Sequence, residues 1–256
     1  MNTILGWTMQ HYPQIAVRRV SKDRPREWLR HGWDDLRHLG MASVAHGLLI
    51  AALGAVLLIV GGTHPYFIAA AISGYLLVGP IMTTGACELS RRRAAGEPTG
   101  FDESLTALVR HPRELFKFGV ILAVIAIVWF AASEVMLRSV FDVPGLYLWG
   151  GFLDRASAGA ILAYLGSGAV LAAIVFTLSV VAVPLIIDRD ATAEAAMWGA
   201  VKATFANPGP MLRWAGLIVL LTALGFLTLL VGMIIVAPLL GHATWHAYRD
   251  LIADRP

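Results

Sequence analysis

Long apolar blocks alternate with short polar segments along this chain, and the blocks have membrane-crossing length. Residues 42–61 (ASVAHGLLIAALGAVLLIVG) contain no Asp, Glu, Lys or Arg. A helix crossing a hydrocarbon core of roughly 30 Å needs about 20 such residues. Blocks at 66–89, 114–138 and 157–187 predict three further spans. The last block, 211–248, would make a single helix roughly 57 Å long, far more than a bilayer. It is therefore predicted to be two short spans with a tight turn near Thr228–Gly232. A single helix there would make the count odd and carry the C-terminus outside.

Between the blocks the period changes. Residues 25–38 read as an amphipathic helix with Trp28, Leu29, Trp33 and Leu36 on one face and Arg26, Glu27, Arg30, Asp34 and Asp35 elsewhere. Residues 101–111 and 191–206 repeat that character, the second with Met197, Trp198, Val201 and Phe205 on one side. Each stretch meets a span at a break: Leu39-Gly40, His111-Pro112 and Asn207-Pro208. Each returning span carries a proline before two aliphatics, at Pro80, Pro184 and Pro238. A proline in a span frees a carbonyl and bends the helix.

The predicted fold is thus all-α: a polytopic membrane protein of six transmembrane helices. They form three helical hairpins, each preceded by an amphipathic helix on the cytoplasmic side, in a pseudo-threefold repeat. The units run about 25–93, 101–188 and 191–253 within one membrane domain, 25–256. Residues 1–24 read as a flexible cytoplasmic tail. Glycines at heptad spacing, such as Gly47, Gly54 and Gly61, give helices the small faces they need to approach closely.

Composition agrees with this reading. Charged residues are 14% of the 256, against roughly 25% in an average soluble domain, too few to cover a water-facing surface. The net charge of +3 is not gathered as a nucleic-acid patch. Lys and Arg flank alternate loops, Arg91-Arg92-Arg93 most clearly, which predicts both termini in the cytoplasm. The first 40 residues hold seven arginines or lysines between Arg18 and Arg37 and no apolar core of a cleavable signal. The one cysteine, Cys87, cannot form an internal disulfide.

Candidate chemistry is sparse. The sequence has no Walker loop, HExxH, GxSxG or CxxC, and no enzyme activity is predicted. His46, His242 and His246 fall near one membrane surface, the last two on one helix face. Imidazoles so gathered could ligate haem iron or a metal, or serve as hydrogen-bonding groups. Glu88 precedes the arginine run and is predicted to pair with Arg91 or Arg249, as an interfacial ion pair or a functional carboxylate. Trp28, Trp33 and Trp198 are candidates for membrane or partner contact, or for capping the bundle.

The run VRRVSKDRPREWLRHGWDDLRHLGMASVAHGL (17–48) and the run LLVGPIMTTGACELSRRRAAGE (76–97) resemble a bacterial family of predicted integral membrane proteins of unknown function. The matching pieces are Arg24-Pro25, Trp28, Gly32-Trp33, Asp35-Leu36, Gly79-Pro80, Glu88-Leu89-Ser90-Arg91-Arg92 and Gly96. Some members are loosely labelled cytochrome c oxidase subunits. Where the family pattern has an aromatic before the glutamate, this chain has Cys87. Residues 188–250 are similar to the membrane domain found beside some glycerophosphodiester phosphodiesterases, which is not their catalytic part. The resemblance implies a non-enzymatic accessory, assembly or scaffold subunit, with lipid and other integral membrane proteins as partners and a respiratory complex first among them. No cofactor is expected. A transporter or lipid-handling protein is the alternative, and haem or metal binding a third reading.

Overall fold

The computed structural model describes residues 15–61, 79–141 and 158–253. The second predicted span up to residue 78, residues 142–157 and the first fourteen residues lie outside them. Eleven helices occupy the described residues: α1 (Arg24–Leu39), α2 (Met41–Gly61), α3 (Thr84–Ala95), α4 (Phe101–Ser104), α5 (Thr106–Arg110), α6 (Pro112–Phe141), α7 (Ala158–Ser179), α8 (Ala182–Arg189), α9 (Ala193–Ala206), α10 (Pro208–Leu227) and α11 (Met233–Leu251). An isolated antiparallel bridge joins Val17 to Ile252.

Among the described residues, four helical stretches are long and apolar enough to cross a membrane: Met41–Ile59, Pro112–Ser133, Ile161–Arg189 and Pro208–Leu227. Only 22% of the apolar window in α6, and the same share in α10, is buried within the chain. Such faces require lipid or another protein against them. α11 is not among the four, because its second half carries His242, His246, Arg249 and Asp250.

The predicted breaks are real, and each has a local cause. α1 opens on Pro25, whose missing N–H costs nothing in a first turn, and closes with Arg37 and His38 near its negative end. Gly40 then takes φ +50°, ψ −120°, a backbone region reserved for glycine. His111 and Asn207 break the chain before Pro112 and Pro208. In 211–248 the chain turns at Thr228–Gly232, where the Thr228 hydroxyl accepts from the Gly232 N–H at 2.8 Å. Leu229 and Leu230 both sit at positive φ there.

Two predicted elements are interrupted. The stretch 101–111 is α4 and α5, separated at Leu105; the Ser104 hydroxyl donates to the Phe101 carbonyl and draws that first turn closed. The span 157–187 breaks at Val180–Val181 before α8. Pro184 explains this, since it has no N–H to bond the carbonyl four residues earlier, that of Val180.

α11 is the hub. It packs along α1, α2 and α3, and small residues set the crossings. A side chain at Gly32 would come within 2.7 Å of the Ala243 backbone nitrogen, and one at Gly241 within 2.6 Å of the Ala86 Cβ. The main core runs through Trp28, Cys87, Phe118, the α8 run Val181–Ile187, the alanines of α9, Trp214 and the end of α11. It sits where the short helices meet the ends of the long ones, forming a cap on one side of the bundle. The outer lengths of the spans stay apolar and exposed.

Candidate functional site

The cap holds a connected run of buried polar side chains drawn from four helices. His242 of α11 is fully buried, with Nε2 2.9 Å from Ser43 Oγ of α2 and Nδ1 2.8 Å from Ser90 Oγ of α3. Ser90 donates to Asp35 Oδ2 of α1 at 2.5 Å. Its single proton is thereby committed to a carboxylate, so Ser90 accepts from His242 Nδ1–H. In a neutral ring, Nε2 is then the acceptor for the Ser43 hydroxyl. His246, one turn along α11, lies 2.9 Å from the same Asp35 oxygen, and Arg93 reaches Oδ1 at 2.5 Å.

Burial acts most strongly on Asp35 and favours its neutral form. The hydrogen bonds from His246 and Ser90 outweigh it and hold the carboxyl below its ordinary value. The run therefore has a charged end at Asp35, beside His246 and Arg93, and a neutral end at Ser43 inside α2.

A second centre is built on Glu88, which is completely buried. Arg91 binds it through both nitrogens at 2.8 and 2.9 Å, Arg110 of α5 at 2.6 Å, and Arg92 stands at 3.7 Å. Glu97 at the rim pairs with Arg91 at 2.8 Å. The bond from Arg91 holds the Glu97 carboxyl below the usual range. Gly96 makes that contact possible: it ends α3 in the left-handed conformation and turns the chain back toward Arg92 and Arg93.

A third set fastens the two ends of the described chain. Asp250 receives Arg24 and the Trp28 indole N–H, the latter at 2.6 Å. Arg18 N–H donates to the Leu251 carbonyl, and Ala253 N–H to that of Ala16. Asn207 accepts from Val20 N–H and donates to the Arg18 carbonyl. From Ile15 onward, the stretch read as a flexible tail is thus tied into the cap.

The predicted site residues separate into distinct settings. His242 and His246 share the Asp35 network. His46 does not join it: its Nε2 bonds the Ser104 hydroxyl at 2.7 Å, against Phe101 and beneath Gly85. Among the described residues, no group of three or more His, Cys, Asp or Glu is placed to hold a metal ion. Glu88 pairs with Arg91, Arg92 and Arg110, while Arg249 is exposed on α11. Trp28 is fully buried edge-on against Trp214, whereas Trp33 and Trp198 face outward. Ser43, Arg110 and Asp250 were not singled out from the sequence, and Asp35 and Ser90 entered only among the residues of the family resemblance. Only the three-residue spacing of Arg91 from Glu88 and the four-residue spacing of the two histidines were local signals.

Residues 67–188 match the model of a family described as "Predicted integral membrane protein (DUF2189)". The matched segment includes Glu88, Ser90, the Arg91–Arg93 run and Arg110, but not α1, α2 or α9–α11. No curated protein and no solved structure matches the chain. The chain is an integral membrane protein by this likeness and by its four candidate spans.

Proposed function

We infer that the protein is a non-enzymatic accessory, assembly or scaffold subunit that packs against other integral membrane proteins. One observation carries the reading: the two buried carboxylates and the buried histidine at the centre of the cap are spent on side chains of this same chain. Both His242 ring nitrogens, the Glu88 carboxylate and the Asp35 carboxylate are each engaged by side chains of this chain. Such an arrangement fixes helices in register and leaves little to act on a substrate. By contrast, α6 and α10 offer long apolar faces that nothing in the chain covers.

In this reading the chain makes six spans as three hairpins, with the cap and both termini in the cytoplasm of an inner-membrane protein. The likeness to proteins labelled as oxidase subunits makes a respiratory complex the first partner to seek. A transporter or lipid-handling protein is the second reading, favoured by the helix interruptions at Thr83 and Val180–Val181. Purification in mild detergent with a mass census of co-eluting proteins separates the two. A membrane complex recovered at fixed stoichiometry supports the scaffold. Recovery of the chain alone, with bound lipid and no partner, overturns it in favour of the second.

A further inference from the structure

The cap helix α9 carries apolar residues on both sides. Its inner side is built of small residues, with Ala196, Gly199, Ala200 and Ala203 buried against α7 and α8. Its outer side presents Trp198, 50% exposed, and Phe205, 76% exposed, with Val201 between them. Aromatic rings this exposed, continuous with other apolar side chains, mark a surface that something apolar covers. The two charges on this side each have a neighbour. Lys202 places its ammonium 6.0 Å from the centre of the Trp198 ring, and Glu194 stands 4.0 Å from Lys117 of α6.

The outer face runs on into a span. Phe205 lies two residues before the Asn207 joint, and Leu212, 77% exposed, lies five after it on α10. The His111 joint repeats the pattern: Val109, two residues before, is 79% exposed, and Phe116, five after on α6, is 73% exposed. α6 and α10 are both long and apolar enough to cross the membrane. Phe116 and Leu212 therefore stand on the exposed faces of membrane-crossing helices, and Val109 and Phe205 continue those faces past the helix ends.

We propose that α9 and the two joints at His111 and Asn207 lie embedded at the boundary between headgroups and acyl chains of one leaflet, with lipid covering Trp198, Phe205 and Val109. Aromatic rings settle at that depth, and Lys202 reaches past Trp198 to the headgroups, which favours anionic lipid. This placement does not depend on the scaffold reading, since it concerns the depth of one helix and two joints.

Single-cysteine labelling tests it in the whole protein, because the native Cys87 is buried. Trp198→Cys, Phe205→Cys and Val109→Cys are spin-labelled and placed in vesicles of phosphatidylcholine and phosphatidylglycerol. Leu212→Cys serves as the lipid reference and Arg19→Cys as the aqueous one. Collision with oxygen should exceed collision with a water-soluble nickel chelate severalfold at all three positions, as at Leu212→Cys. An Arg19-like preference for the nickel reagent overturns the proposal. Exclusion of both reagents means that protein covers the face, which overturns it equally. Val109→Cys sits on a different joint, so misfolding of an α9 variant leaves the test standing.

Discussion

Gly47 of α2 lies directly against the main-chain carbonyl of Ile234 in α11. That carbonyl is the one Pro238 cannot serve, since proline has no N–H to donate four residues back. The kink in one helix and the missing side chain in the other fall at the same point. Any Cβ at Gly47 would collide with the carbonyl oxygen, its carbon and the Ile234 Cα. These are backbone atoms, which cannot swing aside as a flexible side chain would.

Gly47→Ala should therefore lower stability by about 1–3 kcal/mol, the usual cost of overpacking a tight contact. At roughly 2–4 °C per kcal/mol for a chain of this size, the midpoint drops by several degrees. Gly166→Ala is the matched control, because a Cβ there meets nothing within 4 Å. Thermal unmasking of the buried Cys87 thiol with a fluorogenic maleimide reads both. An unchanged midpoint for Gly47→Ala would mean that α2 and α11 do not cross there.

Glu88→Gln removes the one charge around which Arg91, Arg92 and Arg110 converge. Breaking a buried ion pair from one side costs about 3–5 kcal/mol, since the remaining charges stay desolvated. Glu97→Gln, at the exposed rim, should cost under about 1 kcal/mol. Cys87 labelling midpoints for the two variants should differ clearly. Equal effects would show that Glu88 is not buried among arginines.

The Asp35 carboxyl, held below its ordinary value, makes the fold acid-sensitive. A depressed carboxylate contributes stability above its unfolded pKa of about 3.9, and that contribution is lost as pH falls through the lower folded value. The midpoint should therefore fall between about pH 5 and pH 3. Asp35→Asn should be less stable at pH 7 and lose less on acidification. Parallel curves for the two proteins would rule out this linkage.

Much of the architecture was legible because it is written in local patterns. The joints at Gly40, His111 and Asn207, and the turn at Thr228–Gly232, are marked by Gly, Pro or Asn within a residue or two. The break at Val180–Val181 was harder to see: Pro184 announced a bend, but its consequence falls one turn upstream. The networks were harder still, because their spacing is tertiary. Asp35 reads as one more charge on the polar side of α1, and only the packing of α11 against that side, 211 residues later, buries it. Arg110 reads as a helix-end cation until α5 folds back onto Glu88. Trp28 reads equally as membrane contact, partner contact or a cap on the bundle, because the pattern identifies the apolar face of α1 and not what lies against it.

What lies against it is Trp214 edge-on, with the rings 5.8 Å apart, while the indole N–H donates to Asp250. Trp28 thus does two separable things. Trp28→Ala should lose burial and bond together, about 3–5 kcal/mol. Trp28→Phe keeps most of the ring and leaves Asp250 still held by Arg24, so it should lose about 1–3 kcal/mol, the range for a buried hydrogen bond to a charged group. Asp250→Asn alone weakens both the Trp28 and the Arg24 contacts. In the double variant, the Trp28→Phe penalty should shrink, with a coupling of about 0.5–3 kcal/mol in Cys87 labelling midpoints converted to free energies. Strict additivity would mean that the Trp28 indole N–H makes no stabilising bond to Asp250.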